Sequence, residues 1–586
     1  MVLQGGVAIA LGDISTLSVV DMLEELVKGD GLYTATTSRV IVNISSGTMR
    51  SSKSVTDICA STDYADVCER TLSAAINGSA SPKEIIQASF MAAIREIEAA
   101  SHLSNNVSLS ATDSMNKEGF DICRRLFEDA TEELQAAFSE THDLDGLARR
   151  TDDIKCWLSA VISYQQTCLD GITQTDLHST MKDGLVTASQ VTSNAIAIVD
   201  GLSSLFKNFQ VPINVTNIAS RRLLSQGSDA KGYPTWFSAH DRKLLAVNAR
   251  GELKPNMVVA QDGSGDYKTI NAALNAMPKK YTGRYVIYVK SGIYEENVIV
   301  TKDKVNVFMY GDGPRKTVVT GSKNNVDGVQ TMNTATFATE GQGFIGKYMG
   351  FSNTAGPEKH QAVALRVKGD MSAFFNCRMD ALQDTLYVQA HRQFYRNCVV
   401  SGTVDFIFGD SSTILQNCLI VVRRPMDNQQ NTVTAHGRQE EKEDTALVIQ
   451  NCRIVPDKRL FPDRLKIPSY LGRPWKAYSR TIIMESTIGD LIKPEGWLPW
   501  DGDQFLKTLF YAEYGNRGPG AVTSGRVNWP GFHAINRQTA QAYTVNSLIQ
   551  GHHRWIKYSG IPYFGGFKNR CPSYLACVHP ILRYKM

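Results

Sequence analysis

Four polar residues in the second half of the chain recur at a nearly constant spacing, and their types suit acid/base or nucleophilic chemistry. Asp384 and Asp405 lie 21 residues apart, and Gln361 and Gln383 lie 22 residues apart. If the chain coils with that period, each residue stacks on its counterpart, and two carboxylates and two amides share one face. Neighbouring carboxylates push their pKa values apart, so that one is ionised while the other holds a proton. Amide N–H groups can donate hydrogen bonds to an oxyanion.

A Leu-Gly-Arg-Pro-Trp stretch further along adds a cation, Arg473, and an aromatic ring, Trp475. Arginine can hold a carboxylate through two hydrogen bonds, and a tryptophan ring can stack on a sugar. Together with the carboxylates and amides, these residues indicate chemistry on an acidic polysaccharide. The alternative is structural, because a lone Asp can cap a turn and a lone Gln can join a side-chain ladder.

The dipeptide Asn-Cys recurs around these residues and indicates the scaffold that positions them. Its cysteines are Cys377, Cys398, Cys418 and Cys452, at spacings of 21, 20 and 34. Short β-rich runs with a period of about 20 residues predict an all-β right-handed parallel β-helix, with a polar insertion in the longest interval. A β-sandwich is the alternative. Cysteines stacked on neighbouring coils could form the disulfides Cys377–Cys398 and Cys418–Cys452.

The first half of the chain shows helical periodicity instead. One helix face is formed by Ile154, Trp157, Leu158, Val161 and Ile162. This spacing and similar segments nearby predict an all-α four-helix bundle. Disulfides Cys59–Cys68 and Cys123–Cys168 could staple the bundle, which leaves Cys156 without a partner.

The two halves differ in charge. The chain has 586 residues and a formal net charge of +4. From Ala246 onward it has 42 basic and 28 acidic residues, a net charge of +14, whereas the residues before have a net charge of −10. A basic unit suits an acidic polymer. The composition is that of a globular protein, and no apolar run is long enough to predict a transmembrane helix.

Two basic pairs, each followed by two leucines, lie where the charge changes sign. They are Arg221–Leu224 (RRLL) and Arg242–Leu245 (RKLL). Basic pairs in a polar linker are protease targets, so we expect proteolytic processing there, although two chance pairs are the alternative.

Glycosylation sequons occur at Asn43, Asn77, Asn106 and Asn214. Together with the paired cysteines they predict a secreted, extracellular protein. The N-terminus argues against this prediction, because residues 7–11 form only a short apolar run with no basic residue before it, unlike a clear signal peptide.

Five segments of the second half resemble the signature blocks of plant pectin methylesterases, in the order of that family. They are GIYEE (292–296), QAVALR (361–366), QDTLY (383–387), GTVDFIFG (402–409) and LGRPW (471–475). Residues 58–68 and 157–171 resemble the pectin methylesterase inhibitor domain. The resemblance implies a pro-enzyme that hydrolyses the methyl esters of homogalacturonan in the cell wall, with an autoinhibitory pro-region.

The resemblance also implies roles for the residues that match the family's motifs. Asp405 matches the nucleophile, and Asp384 matches the general acid that later activates water. Gln383 and Gln361 match the groups that stabilise the tetrahedral oxyanion.

The last two roles concern orientation and substrate contact. Arg473 matches the residue that orients the nucleophile, and Trp475 matches a substrate-contacting aromatic. The family needs no metal or cofactor. The partners implied are pectin, water, proteinaceous inhibitors and a subtilisin-like processing protease, with no nucleic acid and a monomeric mature enzyme.

The predicted organisation has five parts. These are an atypical segment (1–50), the helical bundle (51–210), a linker (211–250), the catalytic β-helix (251–567) and a C-terminal extension (568–586). The alternative functions are a polygalacturonase, a pectin lyase and a non-catalytic pectin-binding protein. A pectin lyase would need calcium-binding acidic clusters, and a polygalacturonase would need two or three clustered Asp residues with a His. Neither set is evident in the sequence.

Overall fold

The structure is a computed structural model that describes residues 55–76, 80–142, 144–201, 254–279 and 281–568. Its helical part is built from α1 (Val55–Cys59), α2 (Ala65–Ala75), α3 (Pro82–Ser108), α4 (Ser114–Ser139), α5 (Leu144–Asp170) and α6 (Thr175–Asp200). Segments 1–50 and 211–250, with both predicted processing sites, lie outside the described residues, as does all but Lys568 of the predicted C-terminal extension.

The four long helices, α3 to α6, form the predicted bundle. Helix α3 begins with a capping box, in which Ser81 and Glu84 satisfy each other's backbone amides and Pro82 occupies the first helical position. The bundle buries a continuous apolar core contributed by all four helices. Among the helices of the described segments, none combines the length and apolar character needed to cross a membrane.

Both disulfides predicted for the bundle are confirmed. Cys59 is bonded to Cys68, and Cys123 on α4 is bonded to Cys168 on α5. Cys156 is a free, buried cysteine.

The second half forms a parallel β-helix of three parallel sheets. The seven-stranded sheet contains β4 (Val298–Val300), β7 (Phe337–Thr339), β10 (Leu365–Val367), β13 (Leu386–Val388), β16 (Ile407–Gly409), β19 (Asn431–His436) and β22 (Ser469–Gly472), in this spatial order. The eight-stranded sheet contains β3 (Gly292–Glu295), β6 (Thr317–Gly321), β9 (Gly350–Asn353), β12 (Arg378–Asp380), β15 (Val399–Gly402), β18 (Leu419–Val422), β21 (Arg453–Pro456) and β24 (Thr487–Ile488).

The eleven-stranded sheet completes each coil. It contains β1 (Met257–Val259), β2 (Tyr285–Val289), β5 (Val307–Gly311), β8 (Ile345–Lys347), β11 (Ser372–Phe375), β14 (Arg392–Arg396), β17 (Ser412–Gln416), β20 (Ala446–Gln450), β23 (Arg480–Met484), β25 (Phe510–Tyr514) and β26 (Phe532–Ala534). Helix α7 (Ile270–Asn275) packs near β1 and β4, and three short helices follow β26, namely α8 (Arg537–Gln541), α9 (Val545–Leu548) and α10 (His552–Trp555). Apolar residues of α9 and of the segment around α10 cover the outer face of this sheet.

The Asn-Cys repeat marks the turn of each coil. Its asparagines have φ values between 52° and 60°, the left-handed region that asparagine tolerates best after glycine. They also stack, since the Asn417 Nδ2 donates to Asn397 Oδ1 over 2.6 Å and Asn451 Nδ2 donates to Asn417 Oδ1 over 3.0 Å. The cysteines that follow point into the core.

The predicted disulfide Cys377–Cys398 is wrong, as is its counterpart Cys418–Cys452. All four cysteines are free and buried. A coil spacing of about 4.8 Å lies within the reach of a disulfide, so the prediction fails through the bonding of the sulfurs and not through their distance. The sulfurs instead bond to the backbone: the Cys418 Sγ accepts from the Cys398 amide at 3.3 Å, and the Cys452 Sγ accepts from the Cys418 amide at 3.2 Å.

Candidate active site

The two aspartates predicted from their spacing lie on adjacent coils. Asp384 precedes β13 and Asp405 precedes β16, and these strands pair with Leu386 opposite Ile407, so the aspartates are in register. The Asp384 amide donates to the Val404 carbonyl over 3.1 Å. Both aspartates have positive φ values, 62° and 49°, and both are nearly buried, at 7% and 6% exposure. The backbone therefore turns both carboxyl groups out of the regular strand pattern.

Asp405 is held by a fixed set of donors. Its Oδ1 lies 2.9 Å from Arg473 Nε, and its Oδ2 lies 2.6 Å from Arg473 Nη2. Thr432 Oγ1 donates to Asp405 Oδ1 over 2.6 Å and accepts from the Asp405 amide over 2.8 Å. This two-point arginine contact fixes the orientation of an ionised carboxylate.

Arg473 is itself positioned by its surroundings. Its guanidinium lies 4.4 Å from the centre of the Trp500 ring, a cation–π contact. Burial opposes its charge, but the hydrogen bond and charge of Asp405 prevail and raise the pKa of Arg473. The arginine therefore stays cationic beside Asp405.

The surroundings of Asp384 disfavour its charged form. Burial and the neighbouring Asp405 raise the pKa of Asp384 well above its usual range, against the pull of Arg473. It makes no side-chain hydrogen bond within the described ranges of the chain. A carboxyl group with a raised pKa thus lies one coil from a carboxyl group held by an arginine, an asymmetry that suits acid/base catalysis.

Gln361 and Gln383 lie at the same end of the seven-stranded sheet, ahead of β10 and β13, and both are half-buried. The Ala362 amide donates to the Gln383 carbonyl over 3.4 Å, so the two glutamines are offset by one residue and not strictly stacked. Their spacing of 22, one more than the coil period here, accounts for this offset.

Aromatic rings line the protein surface beside the aspartates. The Tyr387 and Phe408 rings stack at 4.4 Å, and the half-buried Trp475 meets Phe408 edge-on at 5.9 Å. Gly437 makes room for the indole, since a Cβ there would lie 2.9 Å from Trp475 Cε3. Asp384, Asp405, Arg473 and Trp475 are thus brought together on one face.

Thr432, Tyr387 and Phe408 had not been singled out from the sequence. Tyr387 and Phe408 occupy equivalent positions of the QDTLY and GTVDFIFG blocks, 21 residues apart, so the same period could have found them. Thr432 lies beyond the polar insertion, which breaks that period.

The helical bundle covers the aromatic surface formed by Tyr387, Phe408 and Trp475. Val363, Tyr387 and Phe408 belong to the same buried apolar cluster as the bundle core, and Trp475 packs against it. The Thr167 hydroxyl on α5 lies 3.2 Å from the Tyr387 hydroxyl. The aromatic surface beside the aspartates is therefore occupied by the bundle.

Ion pairs also join the helical bundle to the β-helix. Arg392 Nη1 bonds to Asp153 of α5 over 2.7 Å, and both side chains are only 3% exposed. The His391 ring lies 3.0 Å from Glu133 of α4. The acidic first half thus meets the basic second half through specific side chains. Within the described segments, no group of three or more His, Cys, Asp or Glu side chains is arranged to bind a metal.

Comparisons with known proteins agree with this geometry. A family model described as Pectinesterase matches residues 256–552, and one described as Plant invertase/pectin methylesterase inhibitor matches residues 53–198. The chain is 43% identical to Probable pectinesterase/pectinesterase inhibitor 21 of Arabidopsis thaliana over 519 residues, 88% of this chain and 76% of that protein. It is 42% identical to Pectinesterase 4 of Arabidopsis thaliana, covering 87% of this chain and 93% of that protein.

Among solved structures, the pectin methylesterase from carrot matches with a TM-score of 0.53 and 50% identity, over 54% of this chain and all of the carrot chain. The chain belongs to the pectinesterase family, with an inhibitor-type helical domain ahead of the pectinesterase domain. It is therefore a carboxylic ester hydrolase that acts on pectin, and this assignment favours the esterase over a polygalacturonase, a lyase or a non-catalytic pectin-binding protein.

Proposed function

We propose that the enzyme cleaves the methyl esters of homogalacturonan with Asp405 as the nucleophile and Asp384 as the general acid and base. The observation that carries this assignment is the asymmetry of the pair. Arg473 and Thr432 hold the Asp405 carboxyl group in place through hydrogen bonds, whereas burial and the neighbouring Asp405 raise the pKa of Asp384 and so favour its protonated form.

The reaction runs in two halves. The Asp405 carboxylate attacks the ester carbonyl, and the tetrahedral intermediate expels methanol as Asp384 donates its proton to the departing oxygen. The resulting anhydride between Asp405 and the galacturonate is then attacked by water, whose proton passes to the ionised Asp384. Collapse of the second intermediate expels the Asp405 carboxylate and releases the galacturonic acid, which loses its proton to the solvent, so both aspartates are restored.

Gln361 and Gln383 are the proposed donors to the oxyanion in both halves. Gln361 lies on the coil before that of Asp384, and Gln383 directly precedes Asp384 in the sequence, both at the same end of the sheet. Preorganised donors of this kind contribute about 2.7–4 kcal/mol each in other acyl-transfer sites. Trp475 supplies the stacking surface for the sugar, next to Phe408.

We further propose that the helical bundle is an autoinhibitory pro-region. It covers Tyr387, Phe408 and Trp475, where a polysaccharide would lie. Cleavage at Arg242–Leu245 by a subtilisin-like protease would release a monomeric enzyme of net charge +14, and cleavage at Arg221–Leu224 would release one of net charge +15. Proteinaceous inhibitors with the same bundle are expected to bind the same face.

Secretion into the cell wall completes the proposal. The disulfides of the bundle are consistent with an oxidising compartment. Of the four sequons, Asn106 lies exposed on α3, where a glycan can be attached, and Asn43, Asn77 and Asn214 lie outside the described residues.

The experiment compares residues 246–586 with the intact chain on highly methylated pectin. Methanol release with falling pH by the shorter chain, and much slower release by the intact chain, is the expected result. Chain shortening or an unsaturated product would contradict the esterase assignment, and equal activity of the two chains would contradict autoinhibition.

A further inference from the structure

Two arginines in the second half of the chain meet around Gly551, outside the aromatic surface beside the aspartates. Arg392 begins β14, and Arg554 lies in α10. A Cβ placed on Gly551 would lie 3.4 Å from Arg392 Nη1 and 3.5 Å from Arg554 Nε, so the two guanidinium groups flank this glycine. Arg392 and Arg554 are called the arginine pocket. Because two neighbouring cations repel each other, the pocket requires anions.

One anion comes from the β-helix itself. Asp370 Oδ1 lies 3.0 Å from Arg392 Nε, and Asp370 Oδ2 lies 2.5 Å from Arg392 Nη2. Burial would raise the pKa of Asp370, but Arg392 lowers it to about 2. This two-point contact fixes the Arg392 guanidinium within the β-helix and leaves its Nη1 for other acceptors, one of which is the Gln550 carbonyl at 3.2 Å.

The second anion comes from the helical bundle. Asp153 of α5 accepts from Arg392 Nη1 over 2.7 Å at Oδ1, and its Oδ2 lies 3.3 Å from Arg554 Nη1. The Cys156 sulfur, one turn further along α5, lies 3.8 Å from Asp370 Oδ1, so the same helix closes over the pocket. The Asp153 side chain is only 3% exposed. Without Asp153, the two arginines and Asp370 would carry one positive charge in excess.

The arginine pocket and the catalytic pair lie at opposite ends of a strand. Asp384 precedes β13, whereas Arg392 follows this strand and begins β14. The pocket is formed without any of the residues proposed for catalysis or for stacking on a sugar. A substitution in the pocket can therefore change the binding of the bundle without changing the catalytic groups.

We infer that the arginine pocket is a specificity site for helical-bundle inhibitors, which binds one buried carboxylate on the third long helix of the bundle. Asp153 supplies this carboxylate in the uncleaved chain. After processing, a separate bundle binds tightly only with an acidic residue at the equivalent position. The inference rests on the proposed function and deepens it, because it names a residue that distinguishes one inhibitor bundle from another.

The test starts from the full chain, with the recognition sequence of a site-specific protease placed in the linker (211–250), so that cleavage yields two folded halves still in their complex. Analytical ultracentrifugation over a dilution series gives the dissociation constant of the halves. Asp153→Asn should weaken the complex about a hundredfold, because a charged acceptor shared by both arginines is lost. Arg554→Gln should weaken it about tenfold, since its contact is longer and its side chain is 35% exposed.

Arg150→Gln is the matched control. Arg150 Nε lies 2.9 Å from the same Asp153 Oδ2, but this arginine belongs to α5, and its side chain is 38% exposed. Its contact does not cross between the halves, so Arg150→Gln should not weaken the complex. Asp153→Glu keeps the charge and should bind more tightly than Asp153→Asn, which separates a charge effect from a packing defect.

Combining Arg554→Gln with Asp153→Asn shows whether the two residues act together. Once the Asp153 carboxylate is gone, Arg554→Gln should have little further effect on the dissociation constant. An unchanged dissociation constant in Asp153→Asn would overturn the inference. A tenfold weakening by Arg554→Gln both with and without the Asp153 carboxylate would also overturn it.

Ultracentrifugation requires no enzymatic activity, which keeps this outcome apart from the proposed function. Separated halves that release no methanol, with a dissociation constant that still depends on Asp153, would contradict the esterase mechanism and leave the arginine pocket standing. Normal methanol release by the separated halves, with equal dissociation constants for the unchanged chain and Asp153→Asn, would do the reverse.

Discussion

Two pairs of buried carboxyl groups lie at opposite ends of β16, which Asp405 precedes and Asp410 follows. Asp384 and Asp405 are 7% and 6% exposed, and Asp410 and Glu443 are 4% and 1% exposed. Burial and mutual repulsion raise the pKa of Asp384, and burial likewise raises the pKa values of Asp410 and Glu443. A buried carboxyl with a raised pKa therefore does not by itself identify the catalytic pair.

The hydrogen-bond partners of the two pairs are what differ. Asp410 accepts from the Thr445 hydroxyl over 2.6 Å. Glu443 accepts from the amides of Gln439 and Glu440, over 2.9 and 2.7 Å, and fixes the loop that contacts the bundle. In the proposed catalytic pair, Asp405 is held by side-chain hydrogen bonds, whereas Asp384 makes none within the described segments. A fixed carboxylate beside an unshared carboxyl fits the roles proposed for Asp405 and Asp384, and the Asp410–Glu443 pair does not have this asymmetry.

The largest expected effect comes from Asp405→Asn. The amide has nearly the same shape but is not a nucleophile, so the rate of methanol release should fall roughly 10⁴-fold or more. Asp427→Asn is the control, because that side chain is 90% exposed. Asp405→Asn with more than a tenth of the normal turnover would contradict the role assigned to Asp405.

Asp384→Asn should have the next largest effect, a loss of about 10²–10⁴-fold in kcat, because the leaving methanol loses its proton donor. In the unchanged enzyme, acylation should decline as pH rises through the raised pKa of Asp384, because the acid form is then lost.

The same variant should also be more stable at high pH. Since the folded pKa of Asp384 lies above its unfolded value of about 3.9, folding stability falls as pH rises between the two. Asn removes this loss, so the melting temperature of Asp384→Asn should exceed that of the unchanged enzyme at pH 8 and approach it at acidic pH. A variant that is less stable at pH 8 would contradict the raised pKa.

Thr432→Val and Thr445→Val form a matched pair, because each hydroxyl bonds one aspartate. Loss of the Thr432 hydroxyl should lower kcat about tenfold, the equivalent of one hydrogen bond that orients Asp405. Thr445→Val should lower the melting temperature without a comparable change in kcat. Equal kcat losses in the two variants would erase the distinction between the pairs.

The smallest effect on chemistry is expected at Glu443. Glu443→Ala strands the Gln439 and Glu440 amides, and the free energy of unfolding should fall by about 1–3 kcal/mol for each unsatisfied group. Glu443→Gln, which imitates the protonated acid, should be less destabilising. Chemical denaturation measures both variants, and a greater loss in Glu443→Gln would show that Glu443 is ionised.

Much of the catalytic face followed from the period of the chain. The spacing of 21 predicted the stack of Asp384 on Asp405, because coils of equal length repeat the same position. The same repeat led to the wrong prediction of a disulfide between Cys377 and Cys398, because equivalent positions on neighbouring coils bring side chains close without bonding them. The contact of Thr432 with Asp405 involves the long coil that carries the polar insertion between Cys418 and Cys452. The Asp410–Glu443 pair likewise depends on the conformation of that insertion. Long-range contacts of this kind leave no periodic signal.

If Asp405 attacks the ester carbonyl and Asp384 protonates the leaving group, one measurement separates the two roles directly. A p-nitrophenyl galacturonate ester has a leaving group that needs no proton, so its first-turnover release of nitrophenol depends on the nucleophile alone. Asp384→Asn should regain most of its acylation rate with this ester, relative to the methyl ester, while Asp405→Asn should remain inactive with both. Recovery of Asp405→Asn, or equal impairment of both variants on both esters, would contradict these roles.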